Sequence, residues 1–281
     1  MNKKFILFIF AALLSSFVAF MFMLRLSEEG VVNKKLARHR FVIKQANDYL
    51  GFNLVDPEQA PKSIHQDVMR GYCLMIDTAR YAPNYVGNEL SCSNCHFAAG
   101  DTLGGKNNGL SLVGVIDSYP SYSERDKKEI TLADRIDNCF RRSLNGRKLP
   151  AEAQEMKDLI AYLNWISKEV VDIKNKPWMG LKLLKSQHQP NAEEGAKVYQ
   201  RSCAMCHKDN GEGGGVIITE DKTIPPLWGP NSFNDGAGMS LLPKFASFVY
   251  TNMPYLDACL TEEEALDVAA FVLQQPRPHF Q

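Results

Sequence analysis

Apolar residues fall into two kinds of pattern along the chain. The first is an almost unbroken run over residues 5–24, interrupted only by Ser15 and Ser16. Lys3 and Lys4 precede it and Arg25 follows directly. About 20 apolar residues are enough to span a bilayer, and a basic start before such a run also opens an export signal. No small-x-small cleavage site marks its end, so residues 1–26 read as a membrane anchor or a signal peptide, and both stay open. The second pattern is helical spacing. Over 151–168, Met156, Leu159, Ile160, Tyr162, Leu163 and Ile166 share one face; over 261–274, Ala265, Leu266, Ala269, Phe271 and Val272 do the same. Thr261 followed by Glu264 forms a capping box that starts the second of these helices. Helices are also predicted over 67–79 and over 192–203, the latter with Ala196, Val198 and Tyr199 as its apolar side.

These elements repeat. Asp158-Leu159-Ile160-Ala161-Tyr162 aligns with Asp267-Val268-Ala269-Ala270-Phe271, and each unit reads as helix, short cysteine motif, long loop, terminal helix. The polar stretch 173–190, with Pro177, Gly180 and Pro190, reads as the linker between them. The expected organisation is residues 1–26 as signal or anchor, 27–60 as a helical extension (helix over 32–50), 61–172 as a first domain and 191–281 as a second.

Charge changes little in this picture. Lys and Arg number 32 and so do Asp and Glu, which leaves no basic surplus to suggest nucleic acid and no acidic surplus to suggest disorder. Cysteine changes it more. Seven cysteines stand at 73, 92, 95, 139, 203, 206 and 259. Disulfides would be the default reading in an exported chain, but the spacing of four of them overturns it. Cys92-Ser93-Asn94-Cys95-His96 and Cys203-Ala204-Met205-Cys206-His207 are both C-x-x-C-H. In that motif two thioethers attach a haem and the adjacent histidine ligates its iron. Two copies in equivalent places outweigh a zinc or thiol-redox reading. The order of elements then resembles the class I cytochrome c fold used twice: an all-α chain with two covalently bound haem c groups.

The distal ligands separate the two haems. In the second domain Met253, just before the terminal helix, is the expected ligand, and Met239 reads as core packing. In the first domain no histidine follows His96 before the linker, and Met156 lies inside the terminal helix. The place matching Met253 holds Cys139. A thiolate there would be a strong donor that lowers the potential and puts a sulfur nucleophile at the haem; the bland reading is a disulfide or a buried thiol. The stretch 131–143 reads as one helix, on which Arg135 and Arg142 share the face of Cys139 while Arg141 points elsewhere. Arg125, Arg147 and Lys148 add positive charge, and Lys106 sits in a Gly-rich loop after the first haem motif. Guanidinium groups suit an oxyanion with several equivalent oxygens.

Three segments carry a family resemblance that runs through most of residues 60–275. The stretch from Tyr85 to His96 resembles the first haem site of the dihaem thiosulfate dehydrogenases, which also act as tetrathionate reductases. Arg135-Ile136-Asp137-Asn138-Cys139-Phe140-Arg141-Arg142-Ser143 is similar to that family's cysteine-ligand segment, and Asn252-Met253-Pro254 to its second-haem ligand. Some members carry Lys before the Met as an alternative ligand; here the position is Asn252. The resemblance implies that two thiosulfates couple to tetrathionate with release of two electrons, or the reverse. It also implies that His96 and Cys139 serve the catalytic haem and His207 and Met253 the electron-exit haem. On that reading Cys139 leaves the iron and carries a thiosulfate-derived sulfur, Arg125, Arg135 and Arg142 hold sulfonate oxygens, and Ser143 donates a hydrogen bond. Electrons would leave to a small redox protein, most simply another cytochrome c, in the periplasm. The competing expectations are a tethered dihaem electron carrier without substrate chemistry, which leaves Cys139 and its arginines unexplained, and a dihaem peroxidase. Cys73 and Cys259 stay open between a disulfide and two thiols.

Overall fold

The computed structural model describes residues 54–105, 107, 109–170, 175–214, 224–255 and 257–281, together with positions 21, 30, 32–34 and 36. Residues 1–38 form one unit and 39–281 another. In the first unit the few described positions are helical. The expected anchor over 1–26 and most of the extension over 27–60 lie outside the described residues. Among the described residues no helix is long and apolar enough to cross a membrane.

The second unit is helix-rich. In chain order it contains α1 (His65–Ile76), α2 (Thr78–Tyr81), β1 (Ser121–Ser123), β2 (Lys128–Ile130), α3 (Leu132–Asn138), α4 (Gln154–Ser167), α5 (Ala192–Ser202), α6 (Ala204–His207), α7 (Leu242–Asn252) and α8 (Glu262–Leu273). The four helices read from spacing are all present. Thr131 caps α3 through a capping box with Asp134, and Thr261 caps α8 with Glu264. The antiparallel hairpin β1–β2, with Ser121 opposite Ile130, is a small addition to the all-α expectation. Its turn closes on the Ser123 hydroxyl, which donates to the Asp126 carboxylate (2.7 Å) and accepts the Asp126 N–H (3.2 Å). Helix α7 is a further addition, with Phe245, Phe248, Val249 and Asn252 on its buried side.

The internal repeat is visible as two equivalent helix crossings, α1 on α4 and α5 on α8. Each is made close by a glycine. A Cβ at Gly71 would collide with the carbonyl oxygen of Asp158, and one at Gly195 with that of Asp267. The same two aspartates use their carboxylates to hold the pairs together. Asp158 accepts two hydrogen bonds from Arg70 (2.7 and 2.8 Å); Asp267 accepts from the Asn191 N–H (2.7 Å) and lies 2.7 Å from His188 Nε2. Aromatic stacks fill both crossings, Tyr72 on Tyr162 with centroids 6.0 Å apart and Tyr199 on Phe271 at 5.4 Å. Burying the apolar face of α4 (Met156, Leu159, Tyr162, Leu163, Ile166) stabilises the first crossing by about 2 kcal/mol per side chain.

The two cytochrome-like halves touch along α7. Phe97, directly after the first C-x-x-C-H motif, packs against Phe248 (5.9 Å) and Tyr255 (5.4 Å). The Gly109 N–H donates to Asn252 Oδ1 (2.8 Å) and the Asn107 N–H to the Thr251 carbonyl (3.0 Å). On another side, Asn234 donates its amide to the Arg141 carbonyl (2.9 Å) and its N–H to that of Arg142 (3.2 Å). The described part of the expected linker, 175–190, contains no helix and is tied to both halves, with Trp178 Nε1–H donating to the Val113 carbonyl at 2.9 Å and the Leu184 N–H to the Ser247 hydroxyl at 3.0 Å.

Candidate active site and haem sites

Each C-x-x-C-H motif is a single tight turn. The His96 N–H reaches the Cys92 carbonyl and the His207 N–H that of Cys203, both at 2.9 Å. Around the first motif, Thr78 takes the Cys92 N–H on its hydroxyl (3.0 Å) and Ser91 takes the Thr78 N–H (3.1 Å). Burial pushes the Cys92 thiol up to about 11 and the Cys203 thiol up to about 12. All seven cysteines are outside disulfides, Cys73 and Cys259 included.

The histidines are oriented as iron ligands need to be. A carbonyl can only accept, so His96 Nδ1–H donates to Leu110 (2.9 Å) and His207 Nδ1–H to Pro225 (2.9 Å). Nε2 of each ring is left as the lone-pair donor. Burial lowers both pKa values to about 4, keeping the rings neutral; at His96 the charge of Arg135 pushes the same way.

Around the second motif the fit to a haem is explicit. One apolar cavity is lined by Cys203, Cys206, His207 and, from α7 onward, Phe245, Val249 and Met253. Met239 lines it as well, so both methionines weighed for the distal position face this space. Leu90, Cys95 and Phe97 of the first half also border it, so the two motifs are close neighbours.

Cys139 stands where α3 ends and a π-helical turn, Cys139–Ser143, begins. The stretch expected as one helix therefore changes register at the cysteine, and such widened turns concentrate at functional sites. Arg135 Nη1 donates to Cys139 Sγ at 2.9 Å. The charge of Cys139 holds the Arg135 pKa above the usual range against the lowering by burial, and the nearby phenol of Tyr119 raises it further. Burial raises the Tyr119 pKa. Nothing in the local sequence marks Tyr119; only the folded loop brings it to Arg135.

The other cations divide by their partners. Arg142 lies 3.6 Å from Asp126, donates to Asn138 Oδ1 (3.4 Å) and the Gly236 carbonyl (3.4 Å), and covers the Phe280 ring at 4.1 Å. Arg141 turns to Asp137 (2.9 Å), away from the thiol as expected. Arg125 donates to the Gly236 carbonyl at 3.1 Å. Burial lowers the Arg142 pKa, and Arg125, Arg141 and Arg135 lower it further, which marks a shared positive field. Ser143 closes the π turn, its carbonyl accepting the Asn88 amide at 2.9 Å. Lys106 lies outside the described residues.

Known proteins similar to this chain place it in a family. Residues 81–171 match the SoxA/TsdA cytochrome c domain and residues 192–276 match cytochrome c. The chain is 38% identical over 221 residues to the thiosulfate dehydrogenase of Allochromatium vinosum, covering 78% of this chain and 81% of that protein. It is 41% identical over 213 residues to that of Thiomonas intermedia, covering 75% and 66%. Among solved structures, thiosulfate dehydrogenase TsdBA from Marichromatium purpuratum superposes with a TM-score of 0.70 at 30% identity over 78% of this chain. The chain spans about half of that protein, 48% of its length. With two cytochrome c domains and therefore two covalently bound haems, the chain belongs to the thiosulfate dehydrogenase family.

Proposed function

We propose that this protein is a dihaem cytochrome c oxidoreductase that interconverts thiosulfate and tetrathionate. The first haem is held by Cys92, Cys95, His96 and Cys139 and the second by Cys203, Cys206, His207 and Met253. When bound, the haems supply two one-electron acceptors in sequence, the second passing electrons to an external carrier such as a small cytochrome c. Residues 61–172 carry the chemistry and 191–281 the exit of electrons.

The observation that carries this reading is the 2.9 Å contact of Arg135 with Cys139 Sγ inside a cluster of cations. The guanidinium lies on the sulfur and stands where a sulfonate oxygen bound next to it would be met. The Cys139 thiolate bonds the sulfane sulfur of one thiosulfate as two electrons leave, giving a cysteine S-thiosulfonate of charge −1. A second thiosulfate attacks that sulfane sulfur. The central S–S bond of tetrathionate forms, the bond to Cys139 breaks, and the thiolate is regenerated. A monoanion and a dianion about 5 Å apart repel by about 7 kcal/mol at an effective dielectric constant of about 20, so surrounding cations decide whether the second step proceeds. Arg135, with Arg125 and Arg142 behind it, supplies that field.

Turnover of the haem-loaded protein tests the proposal, with thiosulfate plus oxidised cytochrome c and with tetrathionate plus a donor. Native activity that collapses in Cys139→Ala with both haems retained is the expected outcome. Full activity in Cys139→Ala would sink the nucleophile. An inactive native protein carrying both haems would return the chain to the electron-carrier reading.

Residues 1–26 direct export to the periplasm and tether the protein to the inner membrane, a reading that rests on the basic start and the apolar run. The full chain is expected to stay with membranes after an alkaline carbonate wash. Release into the wash would show that no tether is kept.

A further inference from the structure

The cations near Cys139 differ in what already occupies them. Arg135 lies on the sulfur, Arg142 is taken up by Asp126, Asn138, the Gly236 carbonyl and the Phe280 ring, and Arg141 is paired with Asp137. Arg125 gives Nη1 to the Gly236 carbonyl, and its Nη2 faces Gly238. Both glycines belong to the second domain, so part of the wall of the first domain's cation cluster comes from its neighbour. From that wall the chain runs through a 3-10 turn at Gly238–Ser240 into α7, whose first turn carries Lys244.

Lys244 is solvent-accessible, and among the described residues its ammonium makes no ion pair. It is close enough to the cluster that partial desolvation, and then the charges of Arg125 and Arg135, lower its pKa. No side chain caps α7, so the positive end of that helix adds to the field. The turn that leads to Lys244 lies against Arg125, and at Lys244 the charges of Arg125 and Arg135 add repulsion to the desolvation. An anion placed between them would relieve that repulsion.

We infer that Lys244 and Arg125 form a second oxyanion subsite at the domain interface, holding the sulfonate of the thiosulfate that attacks the Cys139 adduct. The inference rests on the thiosulfate reading and adds a binding role for the electron-exit domain. Arg135 holds the group bonded to Cys139; Lys244 and Arg125 hold the incoming dianion. The attack transfers no net electrons, since it forms the central S–S bond and expels the Cys139 thiolate. What it needs is the approach of two anions, and a cation from the far wall supplies that. In the reverse direction the same pair holds the distal sulfonate of tetrathionate.

The test uses the haem-loaded protein and its Lys244→Ala, Lys244→Glu and Lys244→Arg variants. Lys244→Ala is expected to raise KM for thiosulfate roughly tenfold, the size of one lost charge-assisted contact, with kcat changed far less. Lys244→Glu raises it further and Lys244→Arg restores it, while the haem spectra and potentials stay native. Thiosulfate should also raise the melting temperature of the native protein more than that of Lys244→Ala at equal concentration. An unchanged KM and an unchanged ligand-induced shift in Lys244→Ala would overturn the inference, as would an effect confined to Lys244→Glu. An inactive native protein whose melting temperature still rises with thiosulfate, and does so less in Lys244→Ala, would preserve the anion subsite while the catalytic reading failed.

Discussion

At the scale of single residues, the site turns on which cation meets the sulfur. Arg135 and Arg142 both fall on the Cys139 face of an ideal helix, and the sequence alone treats them alike. The fold separates them. Arg135 precedes the π turn and reaches Sγ at 2.9 Å, whereas Arg142 lies within the turn and is drawn to Asp126 and Phe280. Arg135→Gln is therefore expected to lower kcat/KM for thiosulfate by roughly 10²- to 10³-fold, the cost of removing a preorganised charge from developing anionic character. Arg135→Lys should recover only part of that, because an ammonium cannot reproduce the guanidinium fork. Steady-state kinetics in both directions, on variants with full haem content, check this. If Arg135→Gln kept native kcat/KM, the contact with Cys139 would be structural.

At the scale of elements, what was legible in the sequence was local. The two C-x-x-C-H turns, the Thr261–Glu264 cap and the terminal helices all depend on residues a few positions apart, and the alignment of Asp158 with Asp267 repeats one such short pattern. Local spacing is what helical periodicity and turn chemistry encode. The alignment proved more informative than it looked, because those aspartates play the same part in both crossings, carbonyl against glycine and carboxylate to the first helix or its cap. Less was legible where meaning depends on distant partners. Helix α7 has apolar residues at helical spacing, but its importance lies in what it faces in the other half. Tyr119, Gly236 and Lys244 carry no local signal, and each matters through a cation brought to it by folding. The π turn was unreadable for a similar reason: the bond from the Leu144 N–H to the Cys139 carbonyl (2.9 Å) replaces the usual pattern without any change in residue type.

At the scale of the whole catalytic unit, the question is how two haem domains are kept in register for electron transfer. The answer centres on a short loop after the first motif. The Leu110 carbonyl holds His96 Nδ1–H, and the Leu110 N–H returns to the Cys95 carbonyl. One residue earlier, the Gly109 N–H is held by Asn252, next to Met253. The same few residues thus orient His96, the expected proximal ligand of one haem, and touch the segment carrying the expected distal ligand of the other. Asn252 is 1% exposed, and its amide also donates to the Phe248 carbonyl at 3.0 Å, so its position is fixed from both sides. Asn252→Ala leaves the buried Gly109 N–H without its acceptor, a loss of about 1–3 kcal/mol in unfolding free energy. The same change is expected to slow reduction of the second haem after the first is reduced, since the contact it breaks joins the two halves. Denaturant unfolding of the haem-loaded protein measures the first effect and stopped-flow spectroscopy the second. Loss of stability with unchanged inter-haem kinetics would mean that the Phe97–Phe248 and Asn234 contacts suffice to hold the domains together. Loss of both would show that this hydrogen bond sets their register.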